Sequence, residues 1–312
     1  MSTLSDPGHK IGRQFKVLNH FAEHGWAYPV SAEIDLTWRC ALNCAGCHSK
    51  WLHANQELKP GEIERILREL TIKGLKSVVW SGGGDPMESP YWKHAMDEAS
   101  KWKLSQGLYS YVPEPTQEKV DYLDNVLEFA YTHNFRTKGL RRVKDSKNVW
   151  TAGWLVDAST WQRIEEYIEK TDLQFFNYVD FRPLIVPGAD DYGWVPDAIE
   201  ALKKAESAQV TWARYKFEDL LEPIPGERHY KTCYSTDFTA SIGPNGDMYQ
   251  CLNRRGVTVI GNLLTESLEE IWARKAHTWT DFDGCRLLCR NHEMNKTLDY
   301  LLGAEPRHAS FI

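Results

Sequence analysis

Three cysteines early in the chain have a spacing that suits metal binding. They are Cys40, Cys44 and Cys47, a C-x3-C-x2-C run that follows an apolar stretch. Cysteine thiolates ligate iron in iron–sulfur clusters, and four of them are the usual set for a cubane cluster. Because a set of three leaves one iron without a protein ligand, a small molecule can bind to that iron. The spacing therefore predicts a 4Fe–4S cluster with one open site.

Two other kinds of metal site fit part of this run. Cys44-x-x-Cys47 is also a zinc-type pair, which a distant second pair would complete. Together with His48 it forms C-x-x-C-H, the attachment pattern of c-type haem. Haem attachment requires export, and residues 1–6 contain neither the basic nor the apolar segment of a signal peptide. The haem site is therefore the weaker alternative, and the zinc site stays open.

The composition narrows the class of protein. The chain has 312 residues, 42% of them hydrophobic, which is enough for a large α/β domain and a small appendage. Its formal net charge of −6 gives no electrostatic footprint for nucleic acid or for anionic membranes. No apolar run approaches the roughly 20 residues that span a bilayer. We therefore expect a cytoplasmic protein, whose seven cysteines stay reduced and serve metals rather than disulfides.

Strand-like and helix-like segments alternate over the first two-thirds of the chain, which indicates βα units around a parallel sheet. The predicted strands span residues 32–38, 75–80, 107–111, 126–132, 149–156 and 174–180. The predicted helices span residues 60–73, 90–102, 116–124, 160–170 and 196–207, and residues 141–146 form a short basic connector. The sequence therefore predicts a six-stranded α/β domain.

Glycines and polar residues stand at the ends of several predicted strands, where parallel α/β barrels gather their chemistry. The second strand is followed by Gly82, Gly83, Gly84 and Asp85, and glycines let a ligand approach the backbone closely. Three further residues end the third, fourth and sixth strands: Ser110, Thr132 and Arg182. A Ser or Thr at such a place usually bonds to local backbone. The arginine either binds a carboxylate or phosphate of a substrate or pairs with a structural acid.

The other four cysteines follow a break in the sequence. The Pro/Gly-rich stretch 222–226 is typical of a linker or loop, and the cysteines beyond it are Cys233, Cys251, Cys285 and Cys289. Asn245-Gly246 is a strong turn signal and predicts a hairpin just before Cys251. Four cysteines on a small module fit a fully ligated iron–sulfur cluster or a structural zinc site. The spacing does not separate these two.

Both groups of motifs have parallels in one enzyme family. The cysteine run, followed one βα unit later by Gly83-Gly84-Asp85-Pro86, resembles the radical S-adenosylmethionine (SAM) superfamily. The region from about 230 to 290, with its phrase IGNL…SLEEIW, is similar to the SPASM/twitch extension of those enzymes. The resemblance implies a partial (β/α)6 barrel with a small C-terminal α+β domain. The expected boundaries are an N-terminal extension at 1–29, the barrel at 30–221 and the twitch domain with the C-terminal tail at 222–312.

The resemblance also implies the cofactors and their contacts. In this family the open iron binds SAM, and an electron from the cluster cleaves SAM to a 5′-deoxyadenosyl radical. Residues 82–85 would contact the SAM amino group, and Ser110 and Thr132 the SAM ribose and carboxylate. The four C-terminal cysteines would hold one auxiliary 4Fe–4S cluster, as in the twitch type. The chain departs from the family pattern at Asp85, where Glu is usual, and at Gly46, where an aromatic residue is common.

The expected reaction is oxidation of a small polar substrate such as a sugar, aminocyclitol or nucleoside, with the auxiliary cluster as electron acceptor. Arg182 is the candidate residue at the substrate. Three plus four cysteines use all seven, so no thiol remains as the hydrogen donor that an epimerase needs. The 29 residues before the barrel are too few for a winged-helix leader-binding domain, which also favours a small molecule.

Other readings of the chain remain open. One alternative is a peptide or protein substrate. A second is redox-neutral chemistry, either epimerisation with a tyrosine as hydrogen donor or decarboxylation. A third is a non-catalytic iron–sulfur or zinc protein. The expected partner is a reductant such as flavodoxin or ferredoxin, with no membrane or nucleic acid.

Overall fold

The fold was obtained as a computed structural model. It describes residues 7–42, 44, 46–47, 49–133, 135–184, 191–222, 228, 230–277, 279–280, 282, 285 and 288–303. His48 and the predicted linker at 223–226 lie outside the described residues.

A sheet of ten strands runs through the described part of the chain. The strands are β1 Ser31–Asp35, β2 Ser77–Ser81, β3 Ser105–Ser110, β4 Phe129–Thr132, β5 Val149–Val156, β6 Tyr178–Pro183, β7 Val210–Trp212, β8 Thr239–Ile242, β9 Asp247–Tyr249 and β10 Val259–Asn262. β1 to β7 are parallel and lie in chain order. β8 pairs in parallel with β1, and β9 and β10 continue the sheet in antiparallel fashion. The C-terminal strands therefore extend the same sheet on the β1 side.

Helices connect the strands and cover one face of the sheet. They are α1 Pro7–Ile11, α2 Phe15–His24, α3 Pro60–Thr71, α4 Trp92–Lys101, α5 Gln117–Val126, α6 Ile164–Lys170, α7 Val195–Ala205, α8 Arg214–Asp219, α9 Ser235–Phe238, α10 Leu268–Arg274 and α11 His292–Leu302. In the described part of the chain, no helix is long and apolar enough to cross a membrane.

The third helix shows why the local sequence folds as it does. Pro60 occupies the first turn, where its missing N–H costs nothing, and the Glu62 carboxylate accepts a hydrogen bond from the Lys59 backbone N–H at 2.7 Å. Ile63, Ile66, Leu67 and Leu70 recur at helical spacing and are buried in the main core. The helix predicted over 60–73 is therefore confirmed, with its end two residues earlier.

Side chains alternate between the two faces of the sheet, as strand geometry requires. In β1, Ala32 and Ile34 belong to the helix-covered core, so Glu33 and Asp35 project from the other face. By the same alternation, Tyr109 of β3, Tyr131 of β4, and Asp180 and Arg182 of β6 project from that face too. We call the face bearing these six residues the inner face. All six of these side chains are polar or charged.

The predicted strands differ from the observed ones mainly at their ends. β5 has the predicted bounds, whereas β6 spans Tyr178–Pro183 rather than 174–180. Asp172 explains this shift, because its carboxylate accepts hydrogen bonds from the backbone N–H groups of Gln174 and Phe175 and holds a turn there. β7 and α8, which follow α7, were not predicted. The predicted hairpin is confirmed, and Gly246 takes the left-handed φ of +80° that its turn requires. The domain boundary at 222 stays a prediction.

Candidate active site

The first cysteine group lies in a loop at the carboxyl end of β1. Cys44 is exposed, and Cys40 and Cys47 are half-buried. All seven cysteines are among the described residues and none forms a disulfide. Burial raises the pKa of Cys40 to about 11, with a further contribution from the carboxylates of Asp85 and Glu88. Ionising this thiol therefore requires a compensating cation, which iron supplies.

The glycine loop after β2 packs directly against this cysteine loop. The Asp85 backbone N–H donates to the Arg39 carbonyl at 2.8 Å. A Cβ atom on Gly84 would lie 2.2 Å from that carbonyl oxygen, and one on Gly83 would lie 2.6 Å from the Trp38 ring. Gly82 lies beside the Asp35 side chain, so glycine is needed along the loop for a close approach. The structure thus brings the predicted residues Gly82, Gly83 and Gly84 against residues 35, 38 and 39, directly before Cys40.

Asp85 uses its carboxylate within the protein. It accepts hydrogen bonds from the Met87 N–H at 2.9 Å, the Ser110 hydroxyl at 2.8 Å and the Tyr111 N–H at 2.9 Å. Burial raises its pKa to about 6. Asp85 and Ser110 are therefore brought together, and they tie the glycine loop to the end of β3. Thr132 is buried and its hydroxyl donates to the Thr151 carbonyl at 3.4 Å.

The carboxylate of Glu88 contacts the cysteine loop. This residue was not predicted from the sequence. Glu88 Oε1 accepts a hydrogen bond from the Ala41 N–H at 3.0 Å, and it also contacts the Tyr111 hydroxyl. Its carbonyl accepts a hydrogen bond from Arg39 at 3.1 Å. The only signal in the sequence was its place just after the Gly83-Gly84-Asp85-Pro86 motif.

The second cysteine group converges from four segments. Electrostatic repulsion couples Cys251 to Cys233 and Cys285, and couples Cys289 to Cys233 and Cys251. Burial raises the pKa of Cys251 to about 11 and that of Cys289 to about 12. Within the described part of the chain, no three thiol, imidazole or carboxyl side chains are gathered closely enough to hold a single metal ion.

Polar and cationic groups surround these four thiols. Cys233 Sγ lies 3.3 Å from the Asn295 amide nitrogen and 3.2 Å from the Ser235 hydroxyl. The guanidinium of Arg228 lowers the pKa of Cys289 against the larger effect of burial. Hydrogen bonds and positive charge around sulfur stabilise thiolates that ligate a metal. The donor set of this group therefore fits an anionic iron–sulfur cluster.

Two arginines near the second cysteine group reach back to the inner face of β1. Arg255, shortly after Cys251, pairs with Glu33 Oε1 at 3.0 Å and with Asp35 Oδ2 at 3.0 Å. Arg290, directly after Cys289, also pairs with Glu33. Asp35 in turn accepts a hydrogen bond from the Gly83 N–H at 2.9 Å. This chain of contacts links the auxiliary cysteines to the glycine loop.

Burial has a large effect on the pKa values of the Glu33 and Asp35 carboxylates on the inner face. Burial raises the pKa of Asp35 to about 6 although Arg255 opposes it. For Glu33, burial is outweighed by Arg290 and Arg255, which lower its pKa. The sequence has two acidic residues in the alternating run Ala32-Glu33-Ile34-Asp35. No role was predicted for them.

Arg182 lies on the opposite part of the inner face. Its Nε donates to Asp180 Oδ2 at 2.8 Å, and its Cζ lies 3.9 Å from the centre of the Tyr131 ring. Tyr131 also donates its hydroxyl hydrogen to Asp180 at 3.1 Å. The predicted pairing of Arg182 with a structural acid is thus present, and the guanidinium stacks on an aromatic ring at the same time.

Comparisons with known proteins agree with this arrangement. Residues 233–297 match the SPASM family, described as an iron–sulfur cluster-binding domain. The whole fold resembles SuiB of Streptococcus suis bound to its precursor peptide SuiA, with a TM-score of 0.61, 16% identity, and coverage of 86% of this chain and 70% of SuiB. It also resembles anSMEcpe with bound AdoMet and a Cp18Cys peptide, with a TM-score of 0.56, 13% identity, and coverage of 86% and 83%.

One curated relative matches locally. A probable GTP 3′,8-cyclase of Pyrococcus abyssi is 45% identical over 51 residues, which are 16% of this chain and 17% of the cyclase. Together, the cysteine run after β1, the parallel barrel and the matched SPASM domain account for both clusters of cysteines. Residues 233–297 thus form a SPASM-type iron–sulfur cluster-binding domain, and the described chain has the fold of SuiB and anSMEcpe.

Proposed function

We propose that this protein is a radical SAM enzyme of the SPASM/twitch type, which takes a hydrogen atom from a small polar substrate, of the sugar, aminocyclitol or nucleoside type, and oxidises it. Cys40, Cys44 and Cys47 would hold the SAM-binding cluster. The auxiliary cluster would be held by the four remaining thiols, which are Cys233, Cys251, Cys285 and Cys289. When bound, SAM and its cluster supply a carbon-centred radical, and the auxiliary cluster supplies an acceptor for the second electron.

The observation that carries this proposal is the pair of arginines that joins the two cysteine groups. Arg255 and Arg290 follow auxiliary cysteines and are ion-paired with Glu33 and Asp35, on the strand that leads into the first cysteine loop. An electron acceptor must lie near the substrate that it oxidises. Ion pairs between β1 and the segments of the auxiliary cysteines support such a placement.

The residues of the chain would divide the remaining work. Gly83 and Gly84 let the glycine loop pack closely against the cysteine loop, since a Cβ at either position would collide with residues 38 and 39. The loop backbone would thereby lie next to SAM bound at the cluster. Asp85 and Ser110 hold this loop against β3. Arg182, at the end of β6, would orient the substrate. Oxidation of an alcohol to a ketone removes one hydrogen atom, one proton and one electron, so it also needs a base near the inner face.

A peptide substrate is the second candidate. Among the similar structures, SuiB is bound to a precursor peptide and anSMEcpe to a Cp18Cys peptide. Those likenesses concern the fold, at 16% and 13% identity. Stimulation of SAM cleavage by the small-molecule filtrate of a cell extract favours the first candidate, and stimulation by the retained peptide fraction alone favours the second.

The supporting partner would be a small electron carrier. We propose flavodoxin or ferredoxin as the reductant and the cytoplasm as the location, because a cluster with an open iron requires a reducing environment. The formal net charge of −6 does not favour nucleic acid as a partner.

Iron content and SAM cleavage test the proposed function directly. After anaerobic reconstitution, we expect about eight irons per chain, and about four when Cys40, Cys44 and Cys47 are all changed to Ala. Dithionite should drive formation of 5′-deoxyadenosine from SAM in the wild type but not in this variant. Zinc in place of iron, with no deoxyadenosine, would contradict the proposal.

A further inference from the structure

We propose that the inner face holds an anionic group of the substrate, a carboxylate or a phosphate, through Arg182, Arg290 and Lys216. The inference rests on the proposed function, because it names the class of substrate for the same site. Lys216 belongs to α8, which packs against β6. Three cations from separate elements would thus surround one oxyanion.

The two arginines have donors to spare. Arg182 uses its Nε for Asp180, and Arg290 uses one terminal nitrogen for Glu33. Among the described residues, nothing accepts a hydrogen bond from either terminal nitrogen of Arg182, or from Nε and Nη2 of Arg290. The side chains are 26% and 38% exposed, so these donors are accessible. A planar guanidinium with a free edge is suited to bidentate binding of a carboxylate or phosphate.

Tyr109 places the two guanidinium groups around a common point. Its ring centre lies 6.0 Å from Arg182 Cζ and 5.5 Å from Arg290 Cζ. The ring is therefore near both a residue of β6 and a residue that directly follows Cys289. A ligand beside Tyr109 would be within reach of both arginines.

Lys216 adds a positive charge that has no fixed counter-ion. In the part of the chain that the structure describes, its ammonium group makes no hydrogen bond or ion pair. Its Nζ lies 5.9 Å from the centre of the Tyr215 ring. Burial, together with the positive charges of Arg182 and Arg290, lowers the pKa of Lys216 to about 7. Charged lysine is therefore destabilised there unless an anion joins it.

The charges on the inner face do not cancel without such an anion. Glu33 and Asp35 are engaged by Arg255 and Arg290, and Asp180 is engaged by Arg182. When Lys216 is protonated, four cationic side chains thus face three carboxylates among the described residues. In a partly desolvated site an unpaired charge is costly. An oxyanion of the substrate would supply the missing negative charge and bridge β6 to the segment of the auxiliary cysteines.

Binding of oxyanions to the reconstituted protein tests this inference. Inorganic phosphate and malonate are titrated anaerobically by calorimetry at constant ionic strength, which also separates phosphate from carboxylate recognition. We expect one of them to bind, with an affinity at least tenfold lower in Lys216→Met and in Arg182→Met. Lys203→Met is the matched control, because Lys203 is exposed and, among the described residues, its ion-pair partner is Glu200. Equal affinities in all four proteins, or no binding of either anion, would overturn the inference.

A second measurement uses the wild-type protein alone, so its result does not depend on whether a variant folds. Limited acetylation of the wild-type protein, read by mass spectrometry, should modify Lys216 more slowly when the binding anion is present, and Lys203 at an unchanged rate. Equal protection of both lysines would mean that the anion binds elsewhere.

Formation of 5′-deoxyadenosine, measured in parallel, separates the two proposals. Anion binding without SAM cleavage supports the site and contradicts the proposed function, whereas cleavage without anion binding overturns the site alone.

Discussion

Asp85 shows how a shorter carboxylate changes the role of a motif residue. In the family pattern a glutamate stands at this position, whereas here the aspartate side chain is hydrogen-bonded to Met87, Ser110 and Tyr111. A carboxylate that accepts three such bonds holds the local backbone in place. Glu88, three residues further on, has its carboxylate in contact with the cysteine loop instead. Asp85 and Glu88 therefore both place a carboxylate near the first cysteines.

The glycines of the same loop make a test at single-residue resolution. We expect Gly84→Ala to weaken SAM binding at least tenfold and to lower the free energy of unfolding by about 1–3 kcal/mol. The physical reason is the 2.2 Å approach of a Cβ to the Arg39 carbonyl, which forces the glycine loop away from the cysteine loop. Calorimetric titration of SAM and urea denaturation measure the two effects.

Gly61→Ala is the control for this change. Gly61 lies in the first turn of α3, and a Cβ there would meet nothing within 4 Å. Alanine favours the helix, so this variant should bind SAM normally and be as stable as the wild type or slightly more so. If both alanine variants bind SAM equally well, the glycine loop does not form the SAM cradle.

At the scale of elements, β1 connects the parts of the site. Its inner-face carboxylates contact Ser81 of β2, the Gly83 backbone and two arginines of the C-terminal region. Buried ion pairs of this kind are not a large source of net stability, but removal of one partner leaves an unpaired charge and is costly. The strand therefore depends on Arg255 and Arg290 for its stability in this position.

Substitution of Arg255 tests this dependence. Arg255→Met should lower the free energy of unfolding by about 3–5 kcal/mol, since it leaves Glu33 and Asp35 with one fewer cation in a buried site. Arg274→Met removes an arginine whose pair with Glu266 is half exposed, and it should cost about 1 kcal/mol or less. Chemical denaturation of both variants measures the difference. A similar loss of unfolding free energy in both variants would mean that the ion pairs of β1 stabilise the protein no more than an exposed pair does.

Local patterns predicted some elements well and missed the long-range contacts. β5 has the predicted bounds because Val, Trp and Thr make up most of its eight residues, between polar residues at both ends. β6 was placed too early because Phe175 and Phe176 look like strand residues, yet they pack in the core from a turn that Asp172 holds. Cys40 and the glycine loop were predicted because their spacing is local. The partners of Glu33 were not, since Arg255 and Arg290 lie 222 and 257 residues away.

At the scale of the whole molecule, the C-terminal region forms part of the barrel. β8 pairs in parallel with β1 over Ser31–Ile34, and Trp272 of α10 donates its ring N–H to the Ala27 carbonyl at 2.7 Å. α10 residues Leu268 and Ile271 share the main core with α3 and the first strands. These contacts predict that the barrel does not fold without the residues that carry the auxiliary cysteines.

A truncated chain tests this prediction. A chain of residues 1–222 would expose the edge of β1, which is prone to aggregation when unpaired, and would leave Glu33 and Asp35 buried without Arg255 and Arg290. We expect it to be insoluble, or soluble without a cooperative thermal transition. The measurement is solubility followed by circular dichroism melting, with the full chain as reference. Adding Glu33→Gln and Asp35→Asn to the truncated chain should recover part of its solubility, because it removes the unpaired charges but not the open edge. A truncated barrel that melts cooperatively near the temperature of the full chain would show that the two regions fold separately, and that the ion pairs between them serve only to position the clusters.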